Sequence, residues 1–202
     1  MMSSSLIKWS GIAALLGGVL GIFLMPILTY LWASGSGLYG YFGRAYFPVY
    51  LGCIAGLAAL SALRRKHPEL RTTDKHDDEK LIVGITFAGL AVGMVGTVLD
   101  YWGGSPGEDF TQAQVTGYFI EILGLLFVLL GSTLLGLQYR RTNAVPTLVA
   151  WLLIAAGPGG LLLSFLHIPS GAMLLFCCAW LVLGYLLLTG KVAPAEQSVR
   201  AT

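Results

Sequence analysis

Charge is what this chain has least of. Asp, Glu, Lys and Arg make up only 11% of its 202 residues, against 56% hydrophobic ones, where soluble domains carry about 25% charge. An apolar excess of that size calls for lipid. The scarcity is extreme from 142 to 190, where no Asp, Glu, Lys or Arg occurs. One helix of that length would reach roughly 74 Å at ~1.5 Å per residue, too long for a hydrocarbon core of ~30 Å. The run must fold back, and His167-Ile168-Pro169-Ser170 is its turn.

Other absences exclude whole chemistries. There are three cysteines, Cys53, Cys177 and Cys178, all inside apolar stretches and none in a C-x-x-C pair, so neither a disulfide framework nor a dithiol redox site is encoded. They read as small apolar packing residues. Every lysine lies in a loop or tail, which leaves none inside the bundle for a retinal-type Schiff base. His167 alone sits at the end of an apolar span, so no bis-histidine haem pair exists. No H-E-x-x-H helix and no glycine-rich G-K-S/T loop occurs. Ser164 and His167 are three residues apart on one helix face, but no oxyanion loop or orienting group accompanies them. No catalytic residue, cofactor or metal is assigned from the sequence.

What remains is a series of apolar segments. Lys8 followed by apolar residues resembles a signal peptide, but the uncharged stretch from Trp9 to Gly43 far exceeds the ~7 to 15 residues of a signal core, and no clear A-x-A site follows. It is expected to be a retained first helix. The expected fold is an all-α integral membrane bundle, one domain over 1–202, with spans near 9–32, 46–63, 81–100, 117–138, 146–166 and 171–189. These spans are apolar all round, whereas helices of a soluble core keep a polar face.

Orientation follows the basic residues. Lys8, the loop 64–80, the Arg140-Arg141 pair and the tail 190–202 hold eleven of the twelve, and Arg44 alone falls on the other side. Both termini are therefore expected in the cytoplasm, with the chain multi-pass in a bacterial inner membrane. The net charge of +2 is explained by topology and offers no argument for nucleic acid. The loop 64–80 mixes both signs and reads as a solvated connector, whose Arg64, Arg65 and Lys66 would attract anionic headgroups at ~1 kcal/mol each. His67 and His76 with Asp77, Asp78 and Glu79 lack metal-ligand spacing.

Two patterns bear on assembly. Ile27-Leu28-Thr29-Tyr30 matches Val98-Leu99-Asp100-Tyr101 at an offset of 71, and Tyr46-Phe47-Pro48-Val49-Tyr50-Leu51-Gly52 matches Tyr118-Phe119-Ile120-Glu121-Ile122-Leu123-Gly124 at 72. The matched spans run in the same direction, so the pattern is a parallel duplication of a two-helix hairpin and not an inverted repeat. Spans five and six would be a divergent third copy, with Leu163-Ser164-Phe165 corresponding to Leu28-Thr29-Tyr30 and Leu99-Asp100-Tyr101. Glycines four apart, Gly17 with Gly21, Gly52 with Gly56 and Gly89 with Gly93, allow close backbone approach and favour a tightly packed bundle, which leaves room for a membrane partner or a second copy.

The acidic residues at or within spans, Asp100 and Glu121, mark the candidate site, since ionisable groups there are costly unless paired or hydrated. Arg44 and His167 are expected at the same outer level, with Tyr30, Tyr46, Tyr101 and Tyr118 as amphipathic walls. An interfacial salt bridge within an aromatic belt is the competing account. Gly157-Pro158-Gly159-Gly160, midway along the fifth span, is expected to kink or break its helix, a device that lines substrate sites in some transporters. The function read from these features is a non-enzymatic partner or ligand-binding bundle with a polar site at its outer face. Transport of a small solute or ion is the alternative, and an intramembrane enzyme comes third.

Overall fold

The computed structural model describes residues 4–66, 76–104, 111–143, 145–166, 168 and 171–191, and all regular structure among them is helical. Seven helices follow in order: α1 (Ser4–Ala33), α2 (Leu38–Gly43), α3 (Tyr46–Lys66), α4 (His76–Trp102), α5 (Gln112–Thr142), α6 (Thr147–Phe165) and α7 (Gly171–Thr189). Six of them, all but the short α2, are long and apolar enough to cross a membrane, which fits a multi-pass membrane protein. They coincide with the six expected spans, but most run further. The connector expected over 64–80 is shorter, because α3 continues to Lys66 and α4 already begins at His76. At ~1.5 Å per residue the 31 residues of α5 reach about 46 Å, so α5 tilts or projects beyond the hydrocarbon layer.

Local chemistry sets the α5 boundaries. Thr111 Oγ1 accepts a hydrogen bond from the Gln114 amide, and Gln114 Oε1 accepts one from the Thr111 amide, a capping box that satisfies two otherwise orphaned donors. The same Thr111 hydroxyl donates to the Gly103 carbonyl at 2.9 Å, tying the start of α5 to the end of α4. At the other end Asn143 adopts a left-handed conformation, φ 49°, which asparagine tolerates better than most residues.

The six long helices close into a ring. Each packs on the next in the order α1, α3, α4, α5, α6, α7, and α7 returns to α1, while also touching α3 and α5 across the middle. Backbone contact carries the packing. A Cβ on Gly17 would sit 3.2 Å from Gly52 Cα, one on Gly124 would sit 2.5 Å from Gly93 Cα, and one on Gly56 would sit 2.7 Å from the Ala14 methyl. The glycine pairs singled out in the sequence thus lie at helix crossings. Large apolar side chains such as Trp9, Phe23, Leu162 and Phe165 point outward, the faces that lipid would cover.

The expected break in the fifth span does not occur. Helix α6 runs uninterrupted from Thr147 to Phe165 with Pro158 inside it. Proline removes the donor that would serve the carbonyl four residues back, that of Ile154. Thr133 on α5 is the nearest side-chain donor: its hydroxyl lies 3.0 Å from Leu129 O and, as a weaker second contact, 3.4 Å from Ile154 O. Gly157 and Gly160 face α5 and α7, where their missing side chains admit Thr133, Leu129 and Ala172. The Gly157-Pro158-Gly159-Gly160 segment is therefore a packed crossing re-satisfied by its neighbour. A double-mutant cycle checks this: Thr133→Val should cost ~1 to 3 kcal/mol of detergent stability by orphaning a buried carbonyl. In a Pro158→Ala background, where the amide donor is restored, the cost should shrink to a few tenths.

Candidate functional site

Three helices bring the acidic site together through a spacing of seven residues. On α3, Tyr50, Leu57 and Arg64 lie on one stripe. On α4, Glu79, Thr86, Gly93 and Asp100 form another, and on α5 so do Glu121, Val128 and Leu135. Seven residues are nearly two turns, so each stripe stays on one face. Because α3 and α5 descend while α4 ascends, Tyr50 and Glu121 meet the Thr97 and Asp100 end of α4, and Arg64 meets Glu79.

At the Glu121 end, α4 and α5 approach so closely that a Cβ on Gly96 would sit 2.6 Å from Glu121 Cα. This pulls the carboxylate inward. Asp100 lies on the same crossing, where a Cβ on Gly117 would meet its backbone nitrogen, and the Tyr50 ring packs one turn away against Gly93. Thr97 lies beside both Glu121 and Tyr50, yet its fully buried hydroxyl makes no hydrogen bond of proper geometry among the described residues. Tyr101 is buried with its ring over Gly43, whose lack of a side chain admits it, and its hydroxyl is 3.5 Å from that of Tyr39.

Arg44 does not neutralise these carboxylates. It stands at their level, but its Nε donates to the Tyr101 backbone carbonyl at 2.9 Å, and its guanidinium lies over the rings of Tyr41 and Trp102, 5.2 and 5.6 Å from their centroids. No ion pair joins it to Asp100 or Glu121 among the described residues, so the salt-bridge account of this cluster lacks its bridge. Of the expected tyrosine walls, Tyr46 and Tyr101 are buried at the site. Tyr30, 73% exposed, and Tyr118, 54% exposed, face outward instead. Tyr39, Tyr50 and Thr97 complete the site and were not anticipated. His167 lies outside the described residues.

A second buried polar cluster occupies the opposite end of the same three helices. Arg64 Nη1 and Glu79 Oε1 are 2.7 Å apart, with side chains 3% and 16% exposed, and the Arg64 guanidinium lies 4.8 Å from the centroid of the Tyr139 ring. Gln138, the residue before Tyr139 on α5, has a buried Oε1 with no hydrogen bond among the described residues. Arg64 was expected to face lipid headgroups, but it is turned inward because Glu79, on the next helix, offers a partner. The side chains of Arg65 and Lys66 lie outside the described residues. The signal for this pair was present in the sequence, since Arg64 follows Tyr50 by two heptads and Glu79 precedes Asp100 by three.

Among the described residues no three His, Cys, Asp or Glu side chains gather into a group able to hold a metal. No family model, curated protein or solved structure matches this chain. The functional argument therefore rests on its own residues.

Proposed function

We propose that the protein is a multi-pass bundle of a bacterial inner membrane that binds a small monovalent cation at the Glu121 end. One observation carries the reading: two carboxylates, Asp100 and Glu121, lie at one α4–α5 crossing among tyrosines and a buried threonine hydroxyl while the nearby arginine is committed elsewhere. Ionisable groups at such a depth are expensive and mark ligand or ion sites. Carboxylate, hydroxyl and phenol oxygens suit a cation, and aromatic faces add attraction for an ammonium group. The basic asymmetry puts both termini in the cytoplasm and this site on the outer side.

The hairpins α1/α3 and α4/α5 read as a parallel duplication. Gly17, Gly21 and Gly52 recur 72 residues later as Gly89, Gly93 and Gly124, and each copy has a backbone contact within its hairpin, Gly17 with Gly52 in the first and Gly93 with Gly124 in the second. Equivalent tyrosines have diverged, Tyr30 facing outward while Tyr101 is buried, so the acidic site belongs to the second copy alone.

The test is thermal unfolding of the purified protein titrated with NaCl, KCl or tetramethylammonium chloride at constant ionic strength. A cation that binds the folded state stabilises it by mass action, about 2.7 kcal/mol at a hundred times its Kd. A saturable rise in Tm with one of these salts, abolished by Glu121→Gln, is the expected result. An equal rise in Glu121→Gln, or none with any salt, would reject the site.

A further inference from the structure

Arg64 and Glu79 are buried where α3 meets α4, and that junction is the place where the two hairpins join. Within each hairpin the helices are fastened by backbone contact, Gly17 on Gly52 in the first and Gly89, Gly93 and Gly96 on α5 in the second. Between the hairpins, α3 and α4 touch over far less of their length. Their contact rests on the Tyr50 ring against Gly93 and on the ion pair. A seam of this kind is where one hairpin can move against the other without breaking the packing inside either.

The seam has a graded interior. At one end stand Tyr50, Thr97 and Glu121, at the other Arg64, Glu79, Gln138 and Tyr139, and Leu57, Leu60, Leu90, Val128 and Leu135 lie buried between them. Two polar ends separated by an apolar plug describe a closed route and not a uniform core. A buried ion pair is weak as a source of net stability, because desolvation offsets most of its attraction. Its best-attested use is to fix one arrangement against another. The polar atoms left unsatisfied in this arrangement, Gln138 Oε1 and Thr97 Oγ1, would gain water on opening, which offsets part of the cost of parting the helices.

We infer that the Arg64–Glu79 pair is a latch that closes the α3–α4 seam, and that parting it opens a route for the bound cation between the Glu121 site and the opposite face. The inference rests on the reading of Glu121 as a cation site, but its test does not.

The experiment places a thiol in the plug by Leu57→Cys, with Cys53→Ala and Cys178→Ala, and leaves Cys177 on α7 as an internal control. A water-soluble maleimide is applied with no added cation, and modification at each position is read by peptide mass spectrometry. With the latch intact, position 57 should react slowly. In Arg64→Gln/Glu79→Gln, which removes both charges and strands neither, its rate should rise at least about tenfold while Cys177 stays protected, and the charge-swapped Arg64→Glu/Glu79→Arg should return it toward the slow rate. The single variant Glu79→Gln supplies the same contrast should the neutral pair fold poorly, since it parts the ion pair at one residue and position 57 should again react faster. Equal rates with and without the latch would overturn the inference. So would a parallel rise at Cys177, which reports general loosening. A salt-dependent Tm rise lost in Glu121→Gln, together with equal rates at position 57, would keep the cation site and discard the gate.

Discussion

Arg64→Ala or Glu79→Ala alone should cost the protein ~3 to 5 kcal/mol, because each strands a buried charge that the other had compensated. The geometry puts the pair in the range where this penalty applies: 2.7 Å apart, with both side chains largely removed from solvent. Tyr139 adds a ring face to the guanidinium at 4.8 Å, so Tyr139→Leu should cost ~0.5 to 2 kcal/mol by removing the cation–π contact. The double replacement Arg64→Met/Glu79→Leu behaves differently. With no charge left to desolvate and similar volume, it should recover most of the loss and come close to the parent. Unfolding in detergent, analysed as a double-mutant cycle, reads the coupling directly. Single variants that each lose less than ~1 kcal/mol would place the pair among solvated surface bridges.

Gly124→Ala should cost about 3 kcal/mol, the upper end of what overpacking a well-filled contact costs. A methyl there would lie 2.5 Å from Gly93 Cα and 2.8 Å from Gly89 O. Those are backbone atoms of α4, which cannot rotate aside, so α4 and α5 must separate. The same separation would draw Glu121 away from Thr97, so cation stabilisation should weaken along with the fold. Gly84→Ala on α4 is the control: nothing lies within 4 Å of a Cβ at that position, and replacing an exposed helical glycine gains up to ~1 kcal/mol. Opposite signs at positions 84 and 124, read as Tm, distinguish close approach from helix propensity. A neutral Gly124→Ala would mean that the α4/α5 contact is looser than its geometry implies.

The membrane-protein class and the six spans were legible because they depend on composition and length. A segment of ~20 uncharged residues has few fates in water or lipid, and the observed helices Ser5–Ala33 through Gly171–Thr189 follow those segments closely. The close crossings were legible too, as glycines four apart, and Asp100 and Glu121 stood out as candidates because charge in an apolar span is conspicuous. How the proline segment packs is something local sequence cannot reveal. The carbonyl that Pro158 frees is served by Thr133, more than twenty residues away, and only the meeting of α5 and α6 brings that hydroxyl there.

Pairing, likewise, was decided by the tertiary structure. Arg44 and the two carboxylates share one end of the bundle, as their positions along the spans require. Which groups it touches depends on rotation about the helix axes, and the structure gives it a backbone carbonyl and two aromatic rings. Tyr30 and Tyr101 occupy equivalent places in a repeated pattern, yet one faces outward and the other packs against Gly43. By itself the sequence determined how many helices there are, how long they run and which end of each carries charge, because those follow from hydropathy and rise per residue. Only the packed bundle decided which faces meet, and with them that Arg64 is locked to Glu79 while Arg44 makes no ion pair with Glu121 among the described residues. Side-chain partnership is a property of two helices at once, and no single segment contains it.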